Sequence, residues 1–256
     1  MSNLDILFVN ANDGEINYQS LANKFMSFET PIWCGMLANA VRNKGFSTSI
    51  LDCEVEQFDT ANSAKEIINI NPRLVVMIAQ GQNPNNSTTK MEGMTSISKK
   101  IKEINPNQKI VFLGSHVAAL PRETLATERS CDFICQNEGV YTLLNLLKVQ
   151  DLNDESQLHK VKGLGFRTKE YKTNLLNISD EYQLAGNSNI VLNEPERIVP
   201  RESLEQDLPR VLLGIFCLHQ KNIEPVVGIL GLIIPIQVLS LLYIQVLVAH
   251  ISVISA

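Results

Sequence analysis

His116 follows Gly114 and Ser115 directly after Lys109-Ile-Val-Phe-Leu113, an apolar run of strand length. A histidine at that point stands at the ligand-facing end of a sheet. It either touches a bound cofactor or hydrogen-bonds the backbone of its own loop. Glu138-Gly139 follows another such run and opens a helical segment, where an acid either favours the helix N-terminus or meets a ligand. Asp52 closes a third run, as a polar contact to a ligand edge or as a turn residue. Cys131 and Cys135 have the C-x3-C spacing that begins some metal sites. Their setting, Cys131-Asp-Phe-Ile-Cys135, alternates like a buried strand, which makes two core thiols the expectation. The turn after the first strand reads Asn10-Ala-Asn-Asp-Gly14, so no G-x-G-x-x-G stands there. No Walker loop and no H-E-x-x-H occurs either.

These residues need a scaffold, and the chain supplies apolar runs alternating with longer amphipathic segments. Strands are expected at Leu4 to Val9, Ser47 to Leu51, Leu74 to Ala79, Lys109 to Leu113 and Asp132 to Gln136. Helices are expected at Pro31 to Lys44, Ala61 to Ile70, Thr89 to Ile104 (with Lys99, Lys100 and Lys102 facing solvent), Pro121 to Glu128 and Gly139 to Lys148. Alternation of this kind requires right-handed crossovers. The expected class is α/β: a Rossmann-like (flavodoxin-like) parallel five-stranded sheet with helices on both faces. Ligands of such sheets sit beyond the carboxyl ends of the strands. The loops there include Asn10 to Thr30 and Gln80 to Thr88, long and rich in Asn, Gln, Gly and Ser, as binding loops are. After Gln150 the texture changes. Residues 151–157 read as a polar linker, Val161 to Arg167 as a strand with Asn174 to Ile178 as its partner, and Glu194 to Pro209 as an extended connector. The domains expected are 1–150, a linker and small β element over 151–210, and an apolar tail over 211–256.

Composition narrows the function. A formal charge of −5 gives no basic stripe for nucleic acid. Aromatic residues make up 6%, too few for a base-stacking surface. The start, Met1-Ser-Asn-Leu-Asp, has no basic n-region of a signal peptide. Five scattered cysteines show no disulfide framework, so a reducing cytoplasm is the expected compartment.

The order of motifs resembles the cobalamin-binding domain that precedes a radical S-adenosylmethionine (SAM) domain. The matching elements are the opening strand with Asn10, Pro31 through Leu37-Ala38 to Lys44-Gly45, and Ile50-Leu-Asp52. Asn71-Pro72 before Leu74-Val-Val, Leu113-Gly-Ser-His116 with Pro121, Asp132-Phe-Ile with Glu138-Gly139, and Gly163-Leu-Gly-Phe-Arg167 complete it. The resemblance implies a corrinoid lying flat over the carboxyl ends of the strands, its nucleotide tail reaching into the sheet. Cofactor contacts would then come from Asn10, Asn12, Asp52, Gln80, Gln82, Gly114, Ser115, His116, Glu138 and Gly139. One departure matters. The chain has no D-x-H-x-x-G, whose histidine ligates cobalt from below, and His116 does not match that position. His116 is therefore not assigned as a cobalt ligand, and the lower axial site is either empty or held by another residue.

Intact members of that family carry C-x3-C-x2-C, whose thiolates hold a [4Fe–4S] cluster with SAM on the open iron. No such motif stands in these residues. After Glu224 the chain has no further Asp, Glu, Lys or Arg. A one-base frame slip near Val211 to Leu213 explains both facts. Read one nucleotide earlier, Ala249, Val253 and Ala256 take codons compatible with cysteine at the C-x3-C-x2-C spacing. The expectation is thus the cobalamin-binding part of a truncated or frameshifted enzyme, without radical catalysis by itself. The rival is a stand-alone binding or regulatory module whose tail is a membrane anchor. The tail exceeds the ~20 residues a bilayer needs, but Pro235 interrupts it and basic or aromatic flanks are lacking. A flavodoxin-like or glycosyltransferase-like enzyme is a third class on the same fold.

Overall fold

The computed structural model describes residues 4–14, 30–80, 87–169 and 189–195. Its first strand, β1 (Ile6–Asn10), shows why the sheet is covered on both faces. Ile6 and Phe8 point into one apolar layer while Leu7 and Val9 point into the other. All four have no solvent exposure, and burying each contributes roughly 1.5–3 kcal/mol. The same alternation runs through β2 (Thr48–Asp52), β3 (Leu74–Ala79) and β4 (Lys109–Gly114).

Helix α1 (Ile32–Asn43) covers the first layer with Leu37, Ala38 and Val41. Helix α2 (Thr60–Ile70) covers the second with Ala64 and Ile67. It starts where the Asp59 side chain accepts the Asn62 N–H at 2.7 Å and ends at Asn71 in the left-handed region. Helix α3 (Ser87–Ile104) adds Met94, Ile97 and Ile101 to the second layer. Then come the short α4 (Ser115–Ala119) and α5 (Pro121–Thr127), strand β5 (Phe133–Cys135), and α6 (Val140–Lys148), whose leucines complete the first layer.

Strands β1 to β5 pair in parallel in the order β2-β1-β3-β4-β5. The order reverses between β1 and β3, the switch point where open α/β sheets seat their ligands. The expected Rossmann-like five-stranded parallel sheet is present. The small β element joins it: β6 (Leu164–Arg167) pairs antiparallel with β5, and β7 (Ile190–Leu192) pairs antiparallel with β6. The expected partner of β6, Asn174 to Ile178, lies outside the described residues, as do the connector beyond Pro195 and the whole tail from Val211.

Two local expectations are corrected. Residues 151–157 are no plain linker: Asp154 caps the short α7 (Glu155–Leu158) through the Ser156 N–H, and Leu152, Leu158 and Val161 enter the first apolar layer. The three apolar residues lie too far apart in sequence to show a period. Lys102 does not face solvent freely. It bonds Asp132 at 2.6 Å and the Gln108 carbonyl at 2.6 Å, tying α3 to the start of β5. Cys131 and Cys135 are fully buried, as the alternation implied. No group of three or more potential metal ligands occurs among the described residues.

Candidate cofactor site

The carboxyl edge of the sheet is drawn tight at Gly114. Its φ is +145°, and a Cβ there would lie 2.1 Å from the Ala79 carbonyl oxygen. Only glycine lets β4 end flush against β3, with which it pairs at Ala79. The chain then turns straight into α4. The Ser115 N–H donates to Gln80 Oε1 at 2.9 Å, so the first residue past β3 fixes the first residue past β4. His116 Nδ1 lies 3.1 Å from Thr88 Oγ1, which bridges to α3. Ser115 Oγ is buried and has no hydrogen-bond partner among the described residues. Gly139, at φ +79°, shapes the neighbouring wall, since a Cβ there would meet Leu113 Cδ1 at 2.2 Å. Glu138 beside it is exposed and does not cap α6 through its side chain.

A second polar group lies at the ends of β1 and β2. Asn10 Nδ2 donates to Asp52 Oδ1 at 2.9 Å. Asp52 Oδ1 also accepts the Glu54 N–H at 3.2 Å, and Lys90 reaches in from α3 to Glu54 Oε1 at 2.5 Å. Lys90 lies 3.4 Å from Asn10 Oδ1 and 3.8 Å from Asp13 Oδ1. Asn12 ties the loop to its neighbour: its amide donates to the Phe58 carbonyl and accepts the Gly14 N–H. Burial raises the Asp52 carboxyl above its ordinary value, against the bonds from Asn10, Val55 and Glu54. Burial raises Glu54 as well, with Lys90 opposing. Burial alone would lower Lys90, but Glu54, Asp13 and Asp52 more than reverse it. The carboxylates of Glu54, Asp13 and Asp52 thus favour the charged form of Lys90.

The structure thus brings Gln80, Gly114, Ser115 and His116 together. It gathers Asn10 and Asp52 into a buried pair, uses Asn12 within its own loop, and sets Glu138-Gly139 at the head of α6. Gln82 lies outside the described residues. Thr88, Asp13, Glu54 and Lys90 escaped sequence reasoning. Lys90 alone left a trace: a cation in the first turn of a helix opposes the helix dipole and needs carboxylates to hold it.

The family model of the B12 binding domain matches residues 18–147, just over half of the chain. The chain belongs to the B12-binding domain family. The cofactor of this B12-binding domain is cobalamin, and its carboxyl edge fits such a ligand. Gly114 and Gly139 let the end of β4 and the head of α6 close against Ala79 and Leu113 at that edge, and Ser115 Oγ has no partner among the described residues. Among solved structures the domain is similar to the radical S-adenosylmethionine methyltransferase TsrM from Kitasatospora setae with cobalamin and a [4Fe-4S] cluster bound. The TM-score is 0.51 at 15% identity, over 78% of this chain and 30% of that one. A TsrM structure with tryptophan substrate and aza-SAM gives 0.47 at 15% identity, over 64% and 29%. The apo, SeMet-labelled cobalamin-dependent S-adenosylmethionine radical enzyme OxsB gives 0.48 at 15% identity, over 77% and 23%. At such identity the TsrM likeness concerns the fold. The B12-binding domain spans less than a third of the length of these enzymes. No curated protein matches the chain. No helix among the described residues is long and apolar enough to cross a membrane.

Proposed function

We propose that this B12-binding domain seats a corrinoid over the carboxyl ends of β1, β3, β4 and β5 as the cofactor-holding part of a cobalamin-dependent radical SAM enzyme. The observation that carries the reading is the match of the B12 binding domain over residues 18–147, with the Gly114-Ser115-His116 turn at the carboxyl edge of its sheet. Bound cobalamin would supply a cobalt centre able to exchange a carbon ligand or electrons. The chain's own residues hold and orient it. Ser115 and His116 would meet its polar rim, Gln80 keeps Ser115 in place, and Gly114 and Gly139 let β4 and α6 pack flush beneath it. Asn10, Asn12 and Asp52 shape the neighbouring loops, and Glu138 and Gln82 complete the contacts. His116 is not assigned as a cobalt ligand in this reading, because it does not stand in a D-x-H-x-x-G motif.

Radical chemistry needs the three-cysteine cluster motif, which these 256 residues lack, so the domain acts as binder and not as radical catalyst. The apolar tail is read as an out-of-frame stretch. The nucleotide sequence through codon 211 tests that, since a one-base change must restore C-x3-C-x2-C. For binding, hydroxocobalamin is titrated into the full chain and followed by visible absorbance and co-elution on a sizing column. A spectral shift with stoichiometric co-elution is expected, weakened about tenfold by Ser115→Ala or His116→Ala. No shift and no co-elution overturns the reading.

A further inference from the structure

Lys90 is the one residue that touches both the β1 and β2 ends of the cofactor edge from α3. Its ammonium contacts Asn10 at the end of β1, Asp13 in the loop that follows, and Glu54 in the turn after β2. The side chain is 11% exposed, so these contacts are made largely out of water. Asp52 is the fourth charged or titratable group facing the cluster, and it holds the turn by accepting the Glu54 and Val55 N–H groups. Helix α3 packs close here: a Cβ on Gly93 would stand 3.1 Å from the Asn12 carbonyl oxygen. Thr88, two residues before Lys90, is the group that meets His116. Thr88 and Lys90 share the first turn of α3, so the position of that turn bears on both contacts.

We infer that Lys90 is the positioning residue of the cofactor edge: clamped by Glu54, Asp13 and Asn10, it sets the first turn of α3 and so the Thr88–His116 contact that faces the corrinoid. This rests on the proposed corrinoid seat for its ligand, but not for its geometry. Lys90 makes no contact with the cofactor. It acts through Thr88, and its charge matters because an uncharged side chain of the same length fills the space without drawing the ends of β1 and β2 together.

Lys90→Met, Lys90→Arg and Thr88→Ala full-length chains are compared with wild type in two measurements. The first is hydroxocobalamin affinity by absorbance titration. The second is the NMR signal of the His116 ring, which reports the Thr88 contact without any cofactor. Lys90→Met is expected to lose about tenfold or more in affinity and to move the His116 signal to its position in Thr88→Ala. Lys90→Arg should restore both in large part. A wild-type His116 signal together with wild-type affinity in Lys90→Met overturns the inference. If Lys90→Met does not fold, Glu54→Gln decides by the same two readouts, an altered signal with weaker binding supporting the role and no change in either overturning it. If wild type binds no hydroxocobalamin, the corrinoid seat fails while the His116 signal still decides the positioning.

Discussion

Asn10 and Asp52 stand opposite each other in the β1–β2 register, and the Asn10 amide donates to the Asp52 carboxylate at 2.9 Å with both residues buried. The pair closes one end of the cofactor edge, and burial there favours the neutral form of the carboxyl.

Asp52→Asn should therefore stabilise the protein at neutral pH. The folded state holds the Asp52 proton more tightly than the unfolded state, because burial raises the carboxyl above 3.8. Between that value and the raised one the folded chain binds more protons, so stability falls as pH rises through the window. The variant lacks this loss. Its melting temperature should exceed that of wild type at pH 7, the gap shrinking as pH approaches 4. Thermal melts across pH 4 to 8 check it, and a gap that widens on acidification would contradict the assignment.

Gly114→Ala should be among the costliest single changes in the sheet. Its backbone lies in a region that only glycine occupies readily, and the added Cβ meets the backbone of Ala79, which cannot swing aside. A loss of about 2–4 kcal/mol is expected, read as a lower urea midpoint at unchanged m-value. Hydroxocobalamin affinity should fall with it, since Ser115 is the next residue.

Cys53 and Cys131 should resist alkylation in the native state. Burial pushes the Cys53 thiol up to about 12 and the Cys131 thiol up to about 12, leaving almost no thiolate at pH 8. Mass spectrometry after brief iodoacetamide treatment should find both unmodified until urea is added. Rapid native labelling of either would show that the second apolar layer opens.

Arg167→Gln should loosen α5 and the entry to β5 without touching the cofactor edge. The buried guanidinium donates to the carbonyls of Leu125, Glu128, Arg129 and Cys131, gathering the end of α5 onto β6. Removing it strands the buried Leu125 and Cys131 carbonyls at about 1–3 kcal/mol each if water does not reach them. Hydrogen exchange should accelerate in residues 121–135 and stay unchanged in β1 and β3.

The parallel sheet was legible because its strands are apolar on both faces: Leu74 to Ala79 needed no partner to be read as a buried strand. Ends were less legible. Asn10 and Asp52 extend β1 and β2 by one polar residue each, and polarity alone reads as loop. The run from Ser115 to Ala119 was missed as helix because Gly114 breaks the chain's direction just before it. Within the site, Gly114, Ser115 and His116 were found by position after a strand. Lys90 and Glu54 were not, because they meet only when β2 and α3 are folded onto β1, across 36 residues. The β6–β7 pairing likewise joins segments whose spacing no local pattern encodes.

Strand β5 is three residues long and has β6 hydrogen-bonded along its outer side. Anyone trimming the gene to its five parallel strands would bare that ladder, together with Phe133, and would discard Arg167. The smallest piece that keeps the parallel sheet sealed reaches at least Leu192, well beyond the last helix of the alternating series. Shorter fragments should come out of cells as inclusion bodies rather than as cofactor carriers.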